Sequence, residues 1–172
     1  DLVVGEDQNN LAGAQAGAVF VFLGSPAPDA TADLTLLGEV AGDHFGISIA
    51  RAGDVDCDRI DDLIVGAIGN DAAGLDAGKA YVHFGARPLP DQTADLVFTG
   101  INPGDAFGQS VNSAGDVDDD GCSDLIVGAP LNDSAFRTLA DAGAAYVFLG
   151  GPAADATADL PLRGEAAGDS FG

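Results

Sequence analysis

Asp116-Val-Asp118-Asp119-Asp120-Gly121-Cys-Ser-Asp124, followed directly by Leu-Ile-Val-Gly-Ala-Pro130, is the stretch that decides the fold. Asp54-Val-Asp56-Cys-Asp58-Arg-Ile-Asp61-Asp62 lies 62 residues earlier, has the same acidic spacing and also leads into Leu-Ile-Val-Gly-Ala. Aspartates at loop positions 1, 3, 5 and 9 repel one another unless a cation lies between them. Hard oxygen ligands in this number suit calcium, which takes about six to eight oxygens. The two loops therefore predict two calcium sites.

An EF-hand opens with a similar acidic pattern, but it needs a glutamate at position 12 and a helix on each side. Position 12 is Val65 in the first loop and Val127 in the second. The residues around it are β-branched and then interrupted by glycine, which indicates a buried strand. The EF-hand is therefore excluded. Ordinary acidic turns are the alternative, because aspartate is common in turns, but the shared spacing before the same strand favours calcium.

The loops belong to a repeat of about 62 residues that extends over the whole chain. Two further motifs recur at nearly the same step. They are the Gly-Asp-x-Phe-Gly motif at Gly42–Gly46, Gly104–Gly108 and Gly168–Gly172, and the Thr-Ala-Asp-Leu motif at Thr31–Leu34, Thr93–Leu96 and Thr157–Leu160.

Each repeat contains four runs that resemble β-strands. The fourth alternates apolar and polar residues, and its third copy has Pro161 at the centre, which places this strand at the edge of a sheet. Four antiparallel strands with a solvated outer edge predict a β-propeller blade. The first three runs are Phe45–Ala50 or Phe107–Asn112, then Leu63–Ala67 or Leu125–Ala129, then the aromatic segments around Tyr81 and Tyr146.

These motifs resemble the FG-GAP repeat family, known from the head of integrin α subunits. The resemblance implies an all-β fold and a seven-bladed β-propeller in the parent protein. It also implies calcium in the loop between the first and second strands of a blade. The matching dipeptides are Phe45-Gly46, Phe107-Gly108 and Phe171-Gly172 for "FG", with Gly66-Ala67 and Gly128-Ala129-Pro130 for "GAP".

The resemblance also implies the ligands of two calcium ions. They are Asp54, Asp56, Asp58 and Asp62 with the carbonyl of Ile60 in the first loop, and Asp116, Asp118, Asp120 and Asp124 with the carbonyl of Cys122 in the second.

The two loops differ at position 6, which is Arg59 in the first and Gly121 in the second. Glycine adopts a positive φ at no steric cost, whereas a residue with a Cβ loses about 1 kcal/mol or more. We therefore expect the second site to bind calcium more tightly.

The repeat predicts blade units at 1–44 (partial), 45–106 and 107–170, with 171–172 opening a further unit. Asp1 takes the position of the last aspartate in another acidic loop. We therefore expect a fragment of a longer propeller. Self-association through the open blade edges is the alternative, because exposed sheet edges promote pairing.

The formal net charge of −22 argues against nucleic acid and anionic membranes as partners. No apolar run approaches the length of a membrane span, so direct membrane insertion is not expected. Cys57 and Cys122 would pair only with their Cα atoms within about 7 Å, and we expect them to remain two separate side chains. Calcium sites of weak oxygen ligands favour an extracellular or cell-surface location.

No recurring set of catalytic residues is evident, and an enzyme is not expected. The leading hypothesis is a calcium-stabilised module that binds a protein or another extracellular macromolecule. The alternatives are an assembly module of a surface layer or filament and an accessory domain of a larger secreted enzyme. The resemblance implies that ligands meet the face opposite the calcium loops, built by connections between the second and third strands and between blades. The expected recognition loops are the stretches that differ most among the repeats, because variable loops on a repeated scaffold usually carry recognition. They are Glu6–Gln15, Gly69–Asp76 and Pro130–Asp141.

Overall fold

The computed structural model describes residues 1–27, 29–86, 89–133 and 139–172, which form three antiparallel sheets. Because these residues contain no helix, none of them forms a helix that could span a membrane. The strands are β1 (Leu2–Glu6), β2 (Ala18–Phe22) and β3 (Leu34–Leu37) in the first sheet; β4 (Phe45–Gly53), β5 (Asp62–Ala67), β6 (Lys79–His83) and β7 (Leu96–Thr99) in the second; and β8 (Ser110–Gly115), β9 (Asp124–Ala129), β10 (Ala144–Phe148) and β11 (Leu160–Arg163) in the third.

Within each sheet, every strand pairs with the next one along the chain, so β7 and β11 lie at the edges of their sheets. Pro161 lies on β11, where its missing N–H costs no hydrogen bond to a further strand. The predicted all-β fold of four-stranded antiparallel blades is confirmed by this strand order.

The first sheet contains the counterparts of only three of the four strands. Its β1 corresponds to β5 and β9, but it pairs only with β2 among the described strands. Leu2 and Val4 are therefore 60% and 42% exposed, whereas Val3 packs against the core on the other face.

One predicted strand is shifted. The sequence predicts the first strand of the third blade at Phe107–Asn112, but β8 spans Ser110–Gly115. Phe107 instead forms a parallel bridge with Gly78 of the preceding sheet, and its N–H donates to the carbonyl of Ala77 at 3.1 Å. Phe45 forms the same kind of bridge with Gly17, yet β4 begins at Phe45, so the bridge alone does not explain the later start of β8.

The sheets meet through glycines that leave no room for a side chain. A Cβ on Gly66 would lie 2.0 Å from the carbonyl oxygen of Gly108, and one on Gly5 would lie 2.2 Å from that of Gly46. These pairs join the second strand of one blade to the Phe-Gly motif of the next. The spacing between blades is therefore set by direct backbone contact.

The core lies between the sheets. The rings of Phe98 and Phe148 stack with their centroids 3.9 Å apart between the second and third sheets. Phe45 and Tyr81 of the second sheet meet edge to face at 5.3 Å and pack against Val19 of the first sheet. Phe45 and Phe107 are both buried in these clusters, so the phenylalanines of the first two Phe-Gly motifs fill the junctions that the adjacent glycines keep narrow.

The glycine contact yields a test. We expect Gly66→Ala to lower the free energy of unfolding by about 1–3 kcal/mol or more, because its Cβ would overlap rigid backbone. Gly24→Ala is the matched control, since its Cβ would lie 3.4 Å from the nearest atom and its φ is ordinary. Urea unfolding of both variants measures the difference. Equal stabilities for the two variants would contradict the account of the blade junction.

Candidate metal centre

Both acidic loops lie where the repeat predicts them, between β4 and β5 and between β8 and β9. The structure brings together carboxylate oxygens from positions 1, 3 and 5 of each loop, all within 4.8 Å of one another. Two carboxylates about 4 Å apart repel by about 1 kcal/mol in bulk water and by more near protein. Each cluster therefore favours a bound cation. The clusters are Asp54, Asp56 and Asp58 in the first loop and Asp116, Asp118 and Asp120 in the second.

The two loops fold by the same local hydrogen bonds. The N–H at position 6 donates to the aspartate at position 1, from Arg59 to Asp54 at 2.9 Å and from Gly121 to Asp116 at 3.0 Å. The N–H at position 7 donates to the aspartate at position 5 in both loops. The carboxylates thus hold their own backbone in a tight turn.

Position 6 has a left-handed backbone in both loops, with φ of 74° at Arg59 and 92° at Gly121. Position 4 is left-handed as well, at Cys57 and Asp119. The positive φ expected at position 6 is confirmed, and Arg59 adopts it without the freedom of glycine. That the second site binds more tightly stays a prediction.

The aspartates at position 9 have a different environment. Asp124 is fully buried and accepts hydrogen bonds from the N–H groups of Val117 and Gly150 at 2.5 and 2.8 Å. Asp62 accepts the equivalent two bonds from Val55 and Gly85. Both lie outside the three-carboxylate clusters. They tie the loop to the end of the third strand, and their role as ligands stays a prediction.

The negative charges of the first cluster also affect the pKa of Asp62. Burial raises the pKa of its carboxyl to about 6, the hydrogen bonds from Gly85 and Val55 lower it, and the charges of Asp56 and Asp54 raise it further. A cation in the loop would oppose this shift, because metal binding favours the deprotonated ligand.

One orphaned oxygen shows that the first loop fits a cation. Asp54 Oδ1 is buried and has no hydrogen-bond partner among the described residues, while its Oδ2 accepts the N–H of Arg59. A buried carboxylate oxygen without a partner is costly, and a cation would satisfy it. The carboxylate donors of each cluster suit calcium. Ile60 and Cys122 are at position 7 of their loops, and the role of their carbonyls as ligands stays a prediction.

The expectation that Cys57 and Cys122 remain separate is wrong, because the structure joins them in a disulfide with 5.3 Å between the Cα atoms. They occupy positions 4 and 7 of adjacent loops. The sequence alone does not show how neighbouring blades are staggered, and this stagger places position 4 of one loop against position 7 of the next. Only the assembled blade junction reveals it.

The predicted recognition loops lie at the other end of the sheets, because β5 and β9 run from the acidic loops towards them. Leu11 and Leu75 are exposed there at 67% and 69%. Val40 and Ile101, in the connections between blades at the same end, are exposed as well. Residues 134–138 of the third recognition loop lie outside the described residues.

The two histidines lie in different parts of the repeat. His83 is buried on β6, as expected from its place in the aromatic strand, and burial lowers its pKa. It lines a cavity of about 760 Å³ between the first and second sheets. His44 has a positive φ, as do Ala106 and Ser170 at the same repeat position, so that backbone shape does not depend on histidine.

Arg59 provides a test of the strained position. We expect Arg59→Gly to raise the calcium affinity of the first loop, because glycine removes a cost of about 1 kcal/mol at positive φ. The opposite substitution in the second loop, Gly121→Ala, should lower the calcium affinity of that loop. Isothermal titration calorimetry measures both sites. An unchanged or weaker first site in Arg59→Gly would contradict the prediction.

Comparisons with known proteins agree with this geometry. The FG-GAP repeat matches residues 29–83 and 107–148, which together make up more than half of the chain. Integrin alpha-5 of Xenopus laevis is 32% identical over 157 residues, covering 88% of this chain and 14% of that protein. Integrin alpha-IIb of Homo sapiens is 36% identical over 140 residues, covering 75% of this chain and 13% of that protein. Integrin alpha-PS2 of Drosophila melanogaster is 32% identical over 124 residues, covering 68% of this chain and 8% of that protein.

The chain thus spans only a small part of the length of these relatives, between 8% and 14%. The chain belongs to the FG-GAP repeat family of integrin α-like proteins, and its three sheets are blades of a β-propeller.

Proposed function

We propose that this chain is a calcium-stabilised β-propeller module that binds an extracellular macromolecule. The observation that carries the calcium part is the recurrence of one carboxylate cluster, with the same local hydrogen bonds, in two adjacent blades. Ordinary acidic turns would have no reason to repeat both the cluster and its backbone support.

The residues that would hold the ions are the three clustered aspartates of each loop, with the aspartate at position 9 and the carbonyl at position 7 as further donors. Bound calcium supplies positive charge that cancels the repulsion among these carboxylates. The loop that joins the first two strands of a blade would then be held closed. Calcium in this role stabilises the scaffold and takes no part in a reaction.

An extracellular or cell-surface location is supported by two observations. The Cys57–Cys122 disulfide suits an oxidising compartment, because cytosolic thiols are kept reduced. The relatives are integrin α subunits, and the resemblance to that family implies a surface protein.

The recognition loops are the proposed binding surface. They lie opposite the acidic loops, and their exposed aliphatic residues Leu11 and Leu75 could be covered by a partner. Apolar side chains at the centre of an interface contribute strongly when water is excluded from them. Adhesion in the manner of the integrin α subunits is therefore the function that these features support best.

Calcium removal tests the scaffold role. We expect the melting temperature to fall when calcium is replaced by EDTA, because a site filled at 100 times its Kd stabilises by about 2.7 kcal/mol. Asp120→Ala should reduce this difference, since Asp120 belongs to the second cluster. Asp119→Asn is the control, because it removes the same charge outside the cluster and asparagine tolerates its positive φ. An identical melting temperature with and without calcium would refute the calcium role.

The binding surface has its own test. We expect the chain, in calcium, to bind purified extracellular matrix proteins immobilised on a sensor surface. Leu75→Ser should weaken that binding at least about fivefold. Leu160→Ser, which removes an exposed leucine of β11 near the calcium end, should not change it. A similar loss in both variants, or in neither, would argue against the recognition loops as the binding surface.

A further inference from the structure

The two acidic loops are joined to each other across the blade junction. The N–H of Ser123, in the second loop, donates to the carbonyl of Asp54 in the first at 2.8 Å. The N–H of Asp54 donates back to Ser123 Oγ at 3.1 Å. Asp54 opens the first cluster, and Ser123 directly precedes Asp124. The backbone at one candidate site is thus hydrogen-bonded to the backbone at the other.

A third hydrogen bond supports the same junction. The N–H of Gly151 donates to the carbonyl of Val55 at 2.7 Å, and Val55 is almost fully buried beneath the first loop. Gly151 also lies beside the second loop, because a Cβ there would be 3.1 Å from Asp120 Oδ2. A movement of either loop would therefore disturb the other.

The disulfide joins a residue inside the first cluster to a residue that contacts the second. Cys57 lies between Asp56 and Asp58, exposed at the tip of the first loop. Cys122 is buried, and its N–H donates to Asp120 Oδ1 at 2.8 Å. The bond therefore connects the tip of one cluster to the residue that orients a carboxylate of the other.

We propose that the Cys57–Cys122 disulfide makes the two loops one cooperative calcium-binding unit whose affinity depends on the oxidation state of that bond. This inference rests on the calcium role proposed above. Cys57 and Cys122 act in it as positioning residues, because their side chains hold the loops and do not themselves bind the ion.

The physical reason is the cost of ordering two repelling clusters. Without calcium, each loop gains by moving its carboxylates apart, and the exposed tip at Cys57 has the most freedom to do so. The disulfide prevents that separation, so calcium has less conformational entropy to remove on binding. Once the first ion has fixed Asp54 and its bonded neighbour Ser123, the second ion meets a loop that is already ordered.

Reduction would reverse this arrangement. A dithiol reductant transfers two electrons to the Cys57–Cys122 bond, the S–S bond breaks, and each sulfur takes up a proton. The dithiol gives up those two protons and becomes its own cyclic disulfide. The loops are then joined only by the hydrogen bonds described above.

Coupling of this kind is reciprocal. If the disulfide strengthens calcium binding by a given factor, calcium must stabilise the disulfide against reduction by the same factor. Calcium in the extracellular medium would therefore protect the bond. A reducing medium would release calcium before the sheets themselves separate.

The test is a calcium titration by isothermal calorimetry of the oxidised chain and of the double variant Cys57→Ser/Cys122→Ala. We expect both sites of the variant to be weaker by at least about fivefold. In the oxidised chain, Asp58→Ala in the first loop should also weaken the second site. That effect should shrink when the disulfide is absent. Circular dichroism of each variant verifies that the sheets are retained.

Equal affinities in the oxidised chain and the double variant would overturn the inference while leaving the calcium role intact. An oxidised chain that binds no calcium would instead refute the proposed function itself. If the double variant fails to fold, the reciprocal measurement on the unmodified chain decides. The equilibrium between disulfide and dithiol, poised with a dithiol redox buffer, should shift towards the disulfide by at least about fivefold in calcium relative to EDTA. No shift would overturn the inference.

Discussion

The backbones of neighbouring sheets approach one another so closely at Gly66 and Gly108 that a side chain cannot enter, and the repeat is organised around this contact. The glycine of one motif meets the glycine of the other only when both strands have the observed register. The adjacent Phe107 then fills the junction and bonds to the carbonyl of Ala77 in the preceding blade. The two motifs are thus halves of one joint, which explains why they recur together.

The joint also determines where the acidic loops lie. Because each loop leads directly into the strand that carries the contact glycine, the distance between blades fixes the distance between loops. Asp54 consequently reaches Ser123, and Cys57 reaches Cys122. The glycine contact at the middle of the sheets therefore brings the two clusters of aspartates side by side. The disulfide then joins two loops that the contact between blades has already placed side by side.

Local features of this structure could be predicted from the sequence, whereas features that depend on how blades stack could not. The strands, the acidic loops and the edge position of Pro161 follow from residue patterns within one repeat. The pairing of Cys57 with Cys122 follows from a contact between repeats. The buried hydrogen bonds of Asp124 had a sequence signal, since an aspartate and a distant glycine recur in every copy, 23 residues apart in the first two and 26 apart in the third. That spacing becomes a contact only once the strand order is known.

The two ends of the blades are stabilised in different ways, and this difference bears on function. At the calcium end, the ties run between blades through the disulfide and the backbone of Asp54 and Ser123. At the opposite end, the recognition loop is hydrogen-bonded to the connections between blades. There the side-chain N–H of Asn70 donates to Asp43 Oδ2 at 3.0 Å, and both residues are buried. The carbonyl of Leu75, at the tip of the same loop, accepts a backbone N–H from the connection to the next blade at 2.8 Å. Because these bonds hold the loop through its backbone and its buried polar residues, the exposed side chain of Leu75 can be substituted without removing any of them. That arrangement would let the proposed binding surface vary while the acidic loops stay unchanged.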